Sequence, residues 1–148
     1  MEPIRIPAIV EFESEGINQK HQRAFCFTGD WPAQPLMLRV ESRAELADDD
    51  GPDYQYSAYV DVHYDGGSVM SSTHLCFDAG THDWQRLELY LRPRLGMKRL
   101  VLNYFFEHKA GRVAFGNASI APCPRRPAPD RRVVLVGDSN TITSYLPR

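Results

Sequence analysis

Between Phe77 and Ile120 successive segments alternate with a period of two, which is the period of an extended strand, and turns separate them. Leu87, Leu89 and Leu91 alternate with Arg86, Glu88, Tyr90 and Arg92. In the next segment Leu100, Leu102, Tyr104 and Phe106 share one face, and Arg99, Val101, Asn103, Phe105 and Glu107 share the other. Neither of those two sets is wholly polar, so this strand is expected inside a two-layer stack. A Gly-Thr turn precedes the first strand, Arg92-Pro93 closes it, and a Lys-Ala-Gly turn leads into a short closing strand.

The rest of the chain extends the pattern. Ile4 to Phe12 reads as a short apolar strand that Pro7 confines to an edge or a bulge. Ala24 to Thr28 and Leu36 to Glu45 read as further strands, separated by the Trp31-Pro32 corner. Tyr56 to Val69 is a hairpin turned at Asp65-Gly66-Gly67, where glycine supplies the positive φ that a tight turn needs. Short alternating segments punctuated by Gly, Pro and Asp clusters specify an all-β, antiparallel two-sheet sandwich over about Ile4 to Ile120, with almost no helix. Within the hairpin, Tyr56, Ala58, Val60, Val62 and Tyr64 are expected in the core. The opposite set presents Tyr59, Asp61 and His63 in a row, a phenol, a carboxylate and an imidazole on one sheet face, suited to hydrogen-bonding hydroxyls and stacking on rings. Tyr90, Arg92 and Asn103 are candidate neighbours of that row, and Trp31, in its loop, is expected to be free to stack, whereas Trp84 is expected to pack.

At 148 residues the chain suits one ordinary domain and needs no disulfide framework. Cys26, Cys76 and Cys123 are odd in number and lack CxxC spacing, so they read as thiols, not as a zinc cluster. A net charge of −2 offers no electrostatic reason to expect nucleic acid. The opening MEPIRIPAIVEF has no basic segment followed by a long apolar run, so neither a leader nor a membrane span is expected, and a reducing compartment is the default unless the chain is a piece of a longer exported protein. The Asp48 to Asp53 run lacks the spaced ligands of a calcium loop and reads as a solvated turn.

The succession of Gly80-Thr81-His82-Asp83-Trp84, a strand ending in Arg92-Pro93, a hydrophobic strand, a glycine turn and the closing Ala114 to Ile120 resembles the second half of jelly-roll β-sandwiches of the carbohydrate-binding-module and galactose-binding-like superfamily. The resemblance covers roughly Leu36 to Ile120. It implies a carbohydrate ligand, and a structural calcium for which Glu11, Glu13 and Asn117 are the candidates; Gly116-Asn117 stands where an Asp pair is frequent, and a solvated acidic edge is the other reading of the glutamates. No other cofactor is implied.

After residue 121 the composition changes. Residues 1–121 form the expected sandwich, 122–131 a Pro/Arg-rich linker, and 132–148 the beginning of a second domain. Val133 to Val136 is a continuous apolar run of the kind found in parallel strands buried on both faces, and it ends in Gly137-Asp138-Ser139. This resembles the first block of the SGNH, or GDSL, hydrolases, and the resemblance makes Ser139 the nucleophile of an ester hydrolase. The 148 residues contain no Asp-x-x-His to activate that serine, so they are not expected to catalyse by themselves. Two functions stay open: a non-catalytic carbohydrate-binding module serving a downstream hydrolase domain of the same chain, or a structural, protein-interaction sandwich that packs against that hydrolase. The apolar Val133 to Val136 strand, lacking partners, also implies self-association through the tail.

Overall fold

A computed structural model describes residues 2–16, 19–29, 31–46 and 53–123. The Asp48 to Pro52 run, the Pro/Arg-rich segment from residue 124 and the Val133 to Ser139 block lie outside the described residues.

Among the described residues ten strands run in order: β1 Ile4–Ile6, β2 Val10–Ser14, β3 Lys20–Thr28, β4 Leu36–Leu46, β5 Tyr56–Tyr64, β6 Val69–Ser71, β7 Leu75–Cys76, β8 His82–Leu91, β9 Met97–Glu107 and β10 Gly111–Pro122. They form two antiparallel sheets. In the first, β10 is flanked on one side by β1 and β2 and on the other by β4, which pairs β8. In the second, the order is β3-β9-β5, and β5 pairs both β6 and β7 on its far side. The only helical pieces among the described residues are the short 3-10 turns Asp53–Gln55 and Asp65–Gly67. None is long and apolar enough to cross a membrane.

The alternation read from the sequence determines what lies between the sheets. Leu36, Leu38 and Val40 meet Leu91, Leu89 and Leu87 in register on the first sheet. Val60 and Val62 meet Leu102 and Leu100 on the second, and all four are buried. Aromatic rings fill the middle: Tyr104 stacks on Phe115 with centroids 4.8 Å apart, and Tyr56 stacks on Phe77 at 5.3 Å. Burial pushes both tyrosine hydroxyls above their ordinary range. The Tyr56 hydroxyl meets Ser42 Oγ at 2.6 Å, and that serine donates to the Ala114 carbonyl at 2.8 Å, so the polar end of the ring is satisfied inside the core.

Three boundaries differ from the sequence expectation. Pro7 does not merely kink one amino-terminal strand; it separates β1 from β2, and both pieces pair with β10, at Ile4↔Ile120 and Val10↔Phe115. The third strand begins at Lys20, four residues before the apolar segment that announces it, because β9 pairs with it along its whole length. Ala121 and Pro122 continue β10 opposite Met37 and Leu36. Proline is tolerated there because β1 pairs β10 only from Ile4↔Ile120 inward, so the end of the strand has a partner on one side alone.

Candidate binding site

One side of the β3-β9-β5 sheet faces away from the core, and the register arranges its side chains in rows. Gln22, Phe105, Ser57 and Cys76 make one row, Ala24, Asn103 and Tyr59 the next, then Cys26, Val101, Asp61 and Ser71, and finally Thr28, Arg99, His63 and Val69. Each residue is placed there by the same period-2 rule that sends its neighbours into the core, so the rows stand on strands instead of loops.

Asn103 is the hub of the polar part. Only 3% of it is exposed, and a buried amide needs partners. Gln22 Nε2 donates to Asn103 Oδ1 at 3.1 Å, and Asn103 Nδ2 donates to Asp61 Oδ2 at 3.3 Å. The other Asp61 oxygen accepts from Ser71 Oγ. A continuous line of hydrogen bonds thus crosses four strands, from β3 through β9 and β5 to β6. It also assigns the amide: the end facing Gln22 must be the oxygen and the end facing the carboxylate must be the nitrogen.

Beside the hub lies an aromatic surface. Tyr59 stacks on His74 with centroids 4.3 Å apart and planes 21° from parallel, and Phe105 meets Tyr59 edge-on at 6.3 Å. Lys20 Nζ lies 5.5 Å from the Phe105 centroid on the flank. The His74 tautomer follows from proton counting. Ser57 has one hydroxyl proton and gives it to the Tyr54 carbonyl at 2.7 Å. The 2.9 Å contact between Ser57 Oγ and His74 Nδ1 therefore has the imidazole as donor, which leaves Nε2 as an acceptor. Burial, opposed by the charge of Asp61, holds His74 below the ordinary histidine value, so the ring beside Tyr59 is neutral at neutral pH. Burial, followed by the charges of Asp61 and Glu107, raises Tyr59, so its hydroxyl keeps its proton and can donate.

Of the residues singled out from sequence, Tyr59, Asp61, His63 and Asn103 come together on this face. Tyr90 and Arg92 do not. Tyr90 sits on β8 opposite Met37, on the outward side of the other sheet, and Arg92 is exposed just past the end of that strand. Alternation told which side of its own strand Tyr90 occupies, but not that the consecutive strands β8 and β9 belong to different sheets. Trp31 is not an open platform: it is half-buried against the core, with its indole N–H enclosed and without a hydrogen-bond partner. Glu11 and Glu13 lie opposite Ala114 and Arg112, three and five positions along β10 from Asn117. That is roughly 10 and 17 Å of backbone at the rise of a strand. Glu11 instead lies 3.6 Å from Arg43. Among the described residues no group of three or more His, Cys, Asp or Glu side chains is placed to hold a metal.

Gln22, His74, Phe105 and Arg99 belong to the face and were missed as site residues. Phe105 and Arg99 were legible, since they share the alternation of Asn103. Gln22 fell outside the shortened third strand, and His74 comes from the irregular β6-β7 connection, where no period operates. A separate cavity of about 300 Å³ opens on the other sheet between Glu11, Arg43, Glu45, His82, Asp83 and Arg112. Its opposite charges face each other, and it holds none of the aromatic surface described above, so the β3-β9-β5 face is the stronger candidate.

No family model and no curated protein matches this chain. Solved structures do. A family 16 carbohydrate-binding module superposes with a TM-score of 0.53 at 10% identity, covering 72% of this chain and 72% of that one. The enzymatically active domain of tailspike protein 4 from bacteriophage CBA120 superposes with a TM-score of 0.53 at 8% identity, covering 82% of this chain but 19% of that one. The likeness is one of fold. The chain is an all-β antiparallel sandwich of the kind carbohydrate-binding modules adopt, and at 10% and 8% identity the likeness carries no residue roles, so the chemistry of the outward face has to be judged from this chain alone.

Proposed function

We propose that the chain is a non-catalytic carbohydrate-binding module whose ligand lies across the outward face of the β3-β9-β5 sheet. The observation that carries this reading is the adjacency of a stacking surface, Tyr59 with His74 and Phe105, to the fixed line of donors and acceptors through Gln22, Asn103 and Asp61. A pyranose ring offers an apolar face for the first and hydroxyls for the second. Its sandwich, shared with a carbohydrate-binding module, supports the same reading. Affinity electrophoresis against a panel of plant and bacterial glycans tests it: at least one glycan should retard the protein, and Tyr59→Ala should weaken the retardation while leaving the circular-dichroism spectrum unchanged. Retardation by none would favour a protein-interaction sandwich instead.

The module serves an ester hydrolase of the SGNH type in the same chain. Support comes from the apolar Val133 to Val136 run leading into Gly137-Asp138-Ser139. These 148 residues should show no serine-dependent turnover of p-nitrophenyl acetate, and a protein carrying the downstream blocks should show turnover that Ser139→Ala removes.

A further inference from the structure

The last row of the face, Thr28-Arg99-His63-Val69, has a chemistry different from the rows beside it. Arg99 Nη2 lies 3.2 Å from His63 Nδ1 and 3.4 Å from His63 Nε2. Being nearly equidistant, it cannot be aligned with the in-plane direction of either ring nitrogen, and a position in the ring plane would collide with Cε1. The guanidinium nitrogen therefore lies over the imidazole face, and the edge of the ring that hydrogen-bonds stays open.

The cation is also uncommitted. Among the described residues no carboxylate is within ion-pair distance of Arg99. Asp61 is a diagonal neighbour across β9 and β5, within reach of an arginine. Its two oxygens instead accept from Ser71 and Asn103, and each keeps a lone pair open. A second cation borders the same row: Arg94 Nη2 donates to Ser68 Oγ at 2.9 Å, next to Val69, with its guanidinium carbon 4.0 Å from the Tyr64 ring centroid. The nearest other acid, Asp65, is exposed and faces Lys98 at 3.8 Å. One end of the hydrogen-bonding face thus carries a planar guanidinium and an imidazole edge, both exposed or half-exposed and turned outward.

We infer that this row is a subsite for an anionic substituent of the glycan, a carboxylate of a uronic acid or a sulfate ester, received by Arg99 with His63 beside it. The proposal rests on the carbohydrate reading of the face and specifies which class of glycan it takes. A guanidinium matches a carboxylate or sulfate through two parallel N–H···O contacts, which an ammonium cannot reproduce. Loss of one charge-assisted contact of this kind corresponds to roughly ten- to hundredfold in affinity.

The test uses the protein as it stands in affinity electrophoresis and isothermal titration calorimetry with four probes: polygalacturonate, alginate, a sulfated galactan and neutral galactan. At least one anionic probe should bind at least tenfold more tightly than the neutral one, with an affinity that falls as salt is raised. Polygalacturonate or alginate being preferred would assign the substituent as carboxylate, and the galactan sulfate being preferred would assign it as sulfate. Arg99→Ala should remove the preference, and Arg99→Lys should restore it only in part. Tyr59→Ala should weaken every probe alike. Equal affinity for anionic and neutral probes, or an anionic preference that survives Arg99→Ala, overturns the subsite while leaving the carbohydrate reading intact. Binding of no probe, charged or neutral, overturns both.

Discussion

Asn103 shows how much a single amide can organise. It is buried, and it sits between the Gln22 amide and the Asp61 carboxylate. Asn103→Ala should lower the stability of the sandwich by about 1 to 3 kcal/mol, because it strands two polar neighbours as well as removing its own contacts. Urea denaturation measures that loss, and the same variant should bind glycan more weakly than its loss of stability explains. His74 makes a pH prediction. Its folded value is depressed below the ordinary 6.5, mainly by burial. Below about pH 6.5 the unfolded chain therefore binds a proton that the folded chain resists. Stability should fall as pH drops through that window, and level off once the folded histidine is also protonated. Denaturation midpoints at pH 7.5 and pH 5 should differ more for the parent than for His74→Gln. Little of this was legible in the sequence. Tyr59, Asp61 and His63 could be grouped because they are two positions apart on one strand. Their partnership with Gln22, Ser71 and His74 depends on which strands pair, and residue spacing carries no record of that.

Among the strands, β10 is the one that tolerates least change at its start. Gly111 has φ of 133°, and a Cβ there would lie 2.4 Å from the Glu45 carbonyl oxygen and 2.8 Å from the Leu46 Cα, both backbone atoms that cannot swing aside. Gly116, further along the same strand, would place a Cβ 3.2 Å from Ile9 Cγ1, the end of a half-exposed side chain that can. Gly111→Ala should cost several times what Gly116→Ala does, on the order of 3 kcal/mol against about 1 kcal/mol, as read from thermal or urea unfolding. The existence of nearly every strand was readable, because period-2 alternation in a half-buried sheet is a strong signal. Their ends were not. Pro7 splits β1 from β2, and Lys20 to Arg23 joins β3 on the strength of pairing with β9, without an apolar residue among the four to announce it. Sheet membership was equally hidden: β8 and β9 follow one another in the chain and lie in opposite layers.

At the scale of the molecule, the described strands of both layers lie between Ile4 and Pro122, and the Cys123 N–H donates to the Pro35 carbonyl at 2.9 Å as the last described backbone contact. A chain cut after Cys123 should therefore keep the thermal midpoint and glycan affinity of the whole, which differential scanning calorimetry and titration would show directly. The sandwich as a class was legible from the first alternating segment onward, and the resemblance to carbohydrate-binding modules pointed to the same architecture. A further property follows from Tyr59 and Asp61 standing on β5 between Ala58, Val60 and Val62, whose exposure is 0%, 0% and 1%. The strand that carries the proposed ligand surface is the same strand that carries the middle of the core. Its amides should exchange with solvent deuterium only through an opening that breaches the interior, which native-state exchange would measure. A ligand on that strand should in turn resist denaturation of the entire body: a glycan at a hundred times its dissociation constant should raise the unfolding free energy by about 2.7 kcal/mol and slow exchange across both sheets, far from the atoms it touches.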